Sequence, residues 1–200
     1  MNAKRRIRVV VTGGPGGGKT TAADLFRREL AGQVMVVPES ATLLFSGGFP
    51  RLPDVEARRA AQRAIFHVQR SLEDVTETAH PERVLLCDRG TVDGAAYWPG
   101  PEAAFFAAMG TTLEAELARY DAVLFFESAA VGGHAIEGNN PARIESNDEA
   151  SSLDGRLRAV WEKHPRFTWV RHRGSFFQKI TEGFEALQRV VGELGGPNGR

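Results

Sequence analysis

An α/β fold, with a five-stranded parallel sheet and helices on both of its faces, is predicted by three features of the sequence. Short β-branched and aliphatic runs alternate with helix-period segments five times along the chain. The first of these runs, Ile7-Arg-Val-Val-Val-Thr12, leads directly into a loop with five glycines that closes on Lys19-Thr20. The length of 200 residues suits one such domain with small insertions and is too short for two of full size.

The loop is Gly13-Gly14-Pro15-Gly16-Gly17-Gly18-Lys19-Thr20. It has the Walker A spacing G-x-x-x-x-G-K-[ST], in the strand-to-helix context that gives the pattern its meaning. The glycines let the backbone curl until successive N–H groups converge on phosphate oxygens, and the following helix aims its positive end at the same charge. The expected architecture is therefore a P-loop NTPase with the P-loop strand central. Gly13 through Gly18, with Lys19, Thr20 and Thr21, would hold the phosphates of ATP, with GTP not distinguished from it. Lys19 would reach the β- and γ-phosphates, and the Thr20 hydroxyl would face Mg²⁺.

Beyond the loop, Ala22, Leu25, Phe26 and Leu30 lie at helical spacing and Gly32 stops the helix. Val34 to Val37 reads as a buried strand, and Glu39 falls at its carboxyl end, where α/β sheets bind ligands. Residues 41–53 read as a loop or short helix with a mobile tip at Gly47-Gly48. A long helix is expected from about Asp54 to Ala79, with Ala61, Ile65, Val68, Leu72, Val75 and Ala79 forming its apolar stripe and Arg63 and His67 on the surface.

Val84-Leu-Leu-Cys87 followed at once by Asp88-Arg89-Gly90 has the form of a Walker B strand, which delivers a carboxylate towards Mg²⁺. Tyr97-Trp98 is either a stacking platform for a substrate or packing beneath the crevice. A helical stretch from about Pro101 to Arg119 turns Phe105, Phe106, Met109, Leu113 and Leu117 inward. Asp121 to Glu127 is the fourth strand.

The glycines, Asn139-Asn140 and Pro141 that follow read as a flap, with the lid region taken as 131–163. Ser146 to Glu149 forms a capping box for a helix that buries Leu153, Leu157, Val160 and Trp161. Phe167 to Val170 is the fifth strand and 176–194 the closing helix, with 195–200 expected to be disordered.

Lys plus Arg and Asp plus Glu number 25 each, so no overall field favours nucleic acid or a membrane surface. The basic cluster Lys4, Arg5, Arg6, Arg8 reads as a solvated terminus. No apolar run is long enough to span a bilayer, and a single cysteine, Cys87, is read as a buried structural thiol in a reducing compartment. The expected location is the cytoplasm.

With these residues placed, the chain resembles the NadR-like branch of small AAA-type P-loop proteins, related to ribosylnicotinamide kinase. The resemblance is carried by Gly13 to Thr20, Val37-Pro-Glu39-Ser, Asp88-Arg-Gly-Thr-Val-Asp93, Ala95-Ala-Tyr97-Trp98, Arg119-Tyr-Asp121, and 138–145 around Arg143. It implies nucleotide binding and transfer of a γ-phosphoryl group to a hydroxyl, without naming the acceptor. The pattern is also similar to that of deoxynucleoside kinases. By that analogy Glu39 is the general base, Asp88 holds Mg²⁺ or shares the base role, and Arg89 touches acceptor or phosphate. Asp93, Tyr97 and Trp98 would join Glu39 and Arg89 around the acceptor. Arg143 would be the lid arginine on the γ-phosphate, with Arg156 a second candidate.

A second reading is a nucleotide-dependent switch that hydrolyses ATP or GTP slowly and presents its flap, or the helix at 54–79, to a protein or lipid partner. The chain lacks the Asn-Lys-x-Asp motif of Ras-like GTPases. It also has Arg89, not Glu, after Asp88, unlike AAA+ ring motors.

Overall fold

In the computed structural model, residues 6–132, 147–172 and 175–195 are described. Five strands, β1 (Arg8–Thr12), β2 (Val34–Val37), β3 (Val84–Asp88), β4 (Ala122–Phe126) and β5 (Phe167–Val170), form one sheet in the order β2-β3-β1-β4-β5. Every pairing is parallel, and β1 is central, as expected. Strands buried on both faces need apolar residues at successive positions, which is why they read as short unbroken runs.

Alternate residues serve opposite layers. Val9 and Val11 pack with Phe26 of α1 (Lys19–Glu29) and Leu187 of α8 (Phe176–Gly195). Val10, Leu85 and Cys87 pack with Phe66 of α3 (Val55–Ala79) and with Phe105 and Trp161 on the other side. Phe26, Phe66, Phe105 and Trp161 are each at most 1% exposed, and each contributes about 1.5–3 kcal/mol by burial. Cys87 is wholly buried, and desolvation raises its thiol pKa well above the ordinary value.

The short helix allowed for after Glu39 is α2 (Ser40–Ser46). Helix α3 begins where expected, with the Asp54 carboxylate accepting from the N–H groups of Glu56 and Ala57. Its buried face is only in part the predicted one: Ala61 is buried and Leu72 packs against the core, but the stripe drifts from the prediction towards the C-terminal end. Val75 is 61% exposed, whereas Phe66, Gln69, Glu73 and Glu77 are buried. Two of these four, Glu73 and Glu77, are acidic because they meet arginines on other elements, and Gln69 bonds Glu73 and the Arg89 carbonyl. Arg8 donates to Glu73 and Glu77, and Arg119 donates to Glu73. Arg8 is therefore a structural cation with a side chain only 12% exposed, and not part of a solvated terminus.

The stretch read as one helix from 101 to 119 is two, α5 (Glu102–Ala108) and α6 (Leu113–Leu117). They follow the short α4 (Asp93–Tyr97); between α5 and α6 the chain turns at Gly110, φ 66°, and Thr112 caps the restart by accepting from Ala115 N–H. From 147 the expected lid is α7 (Asn147–Trp161), which buries Ala150, Leu153, Leu157 and Val160 against the body. Residues 133–146 of the expected flap, with Arg143 and the Ser146 cap, lie outside the described residues, as does the tail from 196. Among the described residues, no helix is long and apolar enough to cross a membrane.

Candidate active site

The P-loop leaves β1 beneath the carboxyl ends of β3 and β4. Gly13 has φ 133°, and a Cβ built on it would lie 2.0 Å from the Phe126 carbonyl oxygen, so no side chain is tolerated there. The loop is also gripped from behind. Asp154 of α7 accepts from Gly14 N–H at 2.8 Å and Ser128 N–H at 2.8 Å. The Ser128 hydroxyl donates to Pro15 O, and Lys179 of α8 donates to Gly17 O at 2.7 Å and to Glu127 O.

Burial lowers the Lys179 pKa to about 8, partly offset by the charges of Asp154 and Glu127. Burial raises the Asp154 pKa, against the pull of its two N–H donors. These clamps keep the loop N–H groups pre-aimed, so an anion meets an organised cradle. None of the three residues was singled out from sequence. Asp154 and Lys179 each sit on the inward stripe of their helix, beside Leu153 and Ile180, and a charge there is the signal that could have found them.

Lys19 is 7% exposed and donates to Gly14 O at 2.7 Å. Burial, and then the charge of Arg89, lower its pKa to about 7 against the opposing pull of Asp88 and Glu39. A polyphosphate against the amine would favour its charged form. The Thr20 hydroxyl donates to Asp88 Oδ2 at 3.0 Å, which brings the two residues assigned to Mg²⁺ together. Among the described residues, Asp88 Oδ1 is buried with no hydrogen-bond partner. An orphaned carboxylate oxygen beside a threonine hydroxyl suits a hard cation that takes its other ligands from phosphate and water. Among the described residues, no cluster of three or more His, Cys, Asp or Glu could hold a metal by itself.

Glu39 follows β2, and Arg89 follows β3 with φ 70°, in the left-handed region that a non-glycine residue occupies at a cost of about 1 kcal/mol or more. That geometry turns the guanidinium back towards the sheet ends. Arg89 Nε donates to Glu39 Oε1, and Nη1 donates to Asp93 Oδ2 at 2.9 Å. Burial alone would raise the Glu39 pKa, but Arg89 and the 2.6 Å hydrogen bond from Thr42 hold it below the ordinary carboxylate value. The carboxylate is therefore ionised at neutral pH. Burial and the like charge of Glu39 raise the Asp88 pKa to about 6, against Lys19, Arg89 and Thr20.

A cavity of about 580 Å³ opens in front of these groups. Lys19, Glu39 and Arg89 line one end, with Phe45, Ile65, Phe66 and Tyr97 along the walls. Arg51, Arg58 and Arg156 are exposed residues that also line it.

Two residues assigned to the acceptor are placed differently. Trp98 is 5% exposed, packs edge-on against Phe105 and does not line the cavity, which is the packing alternative. Asp93 borders the cavity, but its carboxylate is engaged by the Thr12 hydroxyl at 2.9 Å, Trp161 Nε1 at 2.6 Å and Arg89. It is a positioning residue for Arg89. Tyr97 does line the cavity, and the Arg89 guanidinium lies 5.7 Å from its ring centroid.

The family profile described as AAA domain matches residues 8–179, most of the chain. The chain belongs to this AAA domain family. A comparison with curated proteins gives no match. Among solved structures, this AAA domain is similar to deoxyadenosine kinase from M. mycoides with bound dATP. The TM-score is 0.59 over 92% of this chain and 100% of that chain, at 11% sequence identity. That likeness is one of fold, an α/β P-loop architecture with an all-parallel sheet.

Proposed function

We propose that this AAA domain protein is a small-molecule kinase of the NadR-like kind, moving the γ-phosphoryl group of ATP to a hydroxyl of a nucleoside-like or similar metabolite. The observation that carries this reading is the cavity. A half-open cavity of about 580 Å³ is lined by both the P-loop lysine and an ionised carboxylate, Glu39, which supports Glu39 as the group that meets an acceptor hydroxyl. A hydrolase or switch needs room there only for water. The bound deoxynucleotide of the kinase with the same fold supports nucleotide use in this architecture.

In this mechanism Glu39 accepts the proton of the acceptor hydroxyl as its oxygen bonds to the γ-phosphorus. The bond from that phosphorus to the β,γ-bridging oxygen breaks, and ADP leaves. Lys19 and the P-loop N–H groups stabilise the charge on the transferred group. Arg89 holds Glu39 in place and, with Arg156 from α7, faces the incoming phosphoryl group. Thr20 and Asp88 would hold Mg²⁺, which when bound neutralises the phosphate oxygens.

Two measurements test this. ADP release should rise with an acceptor from a panel of nucleosides, vitamins and sugars. Glu39→Gln should lower that acceptor-dependent rate by a factor of about 100, within the range of general-base catalysis. Turnover indifferent to every acceptor and to Glu39 would favour the switch.

Since Asp88 loses its proton only near pH 6, protons compete with the cation below that point. The apparent Mg²⁺ affinity is expected to fall about tenfold per pH unit below about pH 6 and to be level above about pH 7. Titrating turnover with Mg²⁺ from about pH 5 to about pH 8 checks this, and an affinity flat across the range contradicts the assignment.

A further inference from the structure

Resting on the nucleotide-binding half of the reading above, we propose that the Phe176 ring is the stacking platform for the base of the nucleotide donor, and that it favours purine triphosphates. Phe176 opens α8 and is 54% exposed, a large apolar side chain left uncovered at the edge of the phosphate cradle. The ring rests on the P-loop itself. A Cβ built on Gly18 would lie 2.5 Å from Phe176 Cε2, so the aromatic edge touches the backbone of the last loop glycine, whose φ of 83° already favours glycine.

The two helices that flank this contact start level with one another. Helices α1 and α8 pack on one face of the sheet, and Phe26 and Phe184, each about two turns from the start of its helix, have ring centroids 5.7 Å apart. Thr20 and Thr21, exposed at the start of α1, and Phe176 at the start of α8 therefore share one rim. Lys19 and the cavity mark the γ-phosphate end of the donor, and Phe176 does not line that cavity. The remaining phosphates follow the loop N–H groups past Gly18 to the start of α1, and the base emerges over Phe176. Lys179, one turn into α8, donates to Gly17 O at 2.7 Å, which fixes the platform to the loop that carries the phosphates. An aromatic face attracts any base, and a purine covers more of it than a pyrimidine.

The test uses the full chain with Mg²⁺ and calorimetry on two probes, ATP and inorganic tripolyphosphate, which fills the cradle without a base. Phe176→Ala should weaken ATP about tenfold or more and leave tripolyphosphate within about twofold. Phe176→Trp should keep ATP binding, and Phe176→Leu, apolar but not flat, should lose most of what alanine loses. Phe177, 77% exposed and turned about 100° round the helix, is a control of the same size, and Phe177→Ala should change ATP affinity less than about threefold. The parent protein should bind ATP and GTP more tightly than CTP and UTP, and Phe176→Ala should narrow that gap. The triphosphate of 2-aminopurine riboside, whose emission drops when the base stacks, should be quenched by the parent and far less by Phe176→Ala.

An ATP affinity unchanged by Phe176→Ala would overturn the inference. So would an equal loss for ATP and tripolyphosphate, which would make Phe176 a support of the loop, or pyrimidine triphosphates bound as tightly as purines. The kinase reading fails on a different result, ADP release that no acceptor raises. ATP held through Phe176 without any acceptor effect would discard that reading and keep this one.

Discussion

Lys19→Ala is expected to lower kcat/KM for nucleotide turnover by a factor of at least about 100, because its ammonium acts on charge that develops in the transition state. The ammonium is placed for that work at a cost to itself. Burial and Arg89 bring its pKa to about 7, and among the described residues its hydrogen bond is to Gly14 O within the loop. A group held in this way gains most when a polyphosphate arrives, and alanine forfeits that gain. The fold should tolerate the change, since the loop is anchored separately by Asp154, Ser128 and Lys179. Steady-state ADP release, with a thermal melt as control, checks the expectation. A loss under about tenfold with an unchanged melt would remove Lys19 from the phosphate site.

The sheet was legible because parallel strands covered on both faces are largely apolar, so β1 to β5 stand out as short aliphatic or aromatic runs in which Arg8, Asp88 and Thr168 are among the exceptions. Glu39 and Asp88 were legible as well. A strand of four or five residues ends within a residue of its ligand-facing tip, and the Walker A loop says which end that is. What did not follow from sequence was which polar residue spends its hydrogen bonds on the protein itself. Asp93 and Glu39 look alike in sequence, yet Asp93 is engaged by Thr12, Trp161 and Arg89, while Glu39 keeps 20% of its side chain exposed at the cavity. The supports of the P-loop were hidden for another reason. Asp154 and Lys179 lie 140 and 162 residues from the P-loop backbone atoms they bind, a separation that no local pattern encodes.

The misread stripe of α3 points to the largest stability effect expected in the molecule. Glu73 is fully buried, and its carboxylate accepts from Arg119 at 2.7 Å, Tyr120 OH at 2.8 Å, Arg8 at 3.2 Å and Gln69 at 3.3 Å. Burial, with the Glu73 charge acting in the same direction, raises the Tyr120 phenol pKa well above the ordinary value, so it remains a donor. Glu73→Ala removes the buried acceptor shared by two guanidiniums and a phenol, leaving Arg8 to Glu77 and Asp74, Arg119 to Glu116 and Asp74, and Tyr120 to Thr91. Removing one partner of such a set costs about 3–5 kcal/mol, against a total of about 5–15 kcal/mol for a domain. Urea unfolding should show a lower midpoint at unchanged slope, and a loss below about 1 kcal/mol would mean that water replaces the carboxylate. The effect should also reach the active site. Gln69, held by Glu73, donates to Arg89 O at 3.2 Å and accepts from Ser40 N–H at 3.3 Å. Those two bonds brace the residues at the tips of β2 and β3, including the left-handed turn at Arg89, so Glu73→Ala should lower acceptor-dependent turnover even at temperatures where the protein stays folded.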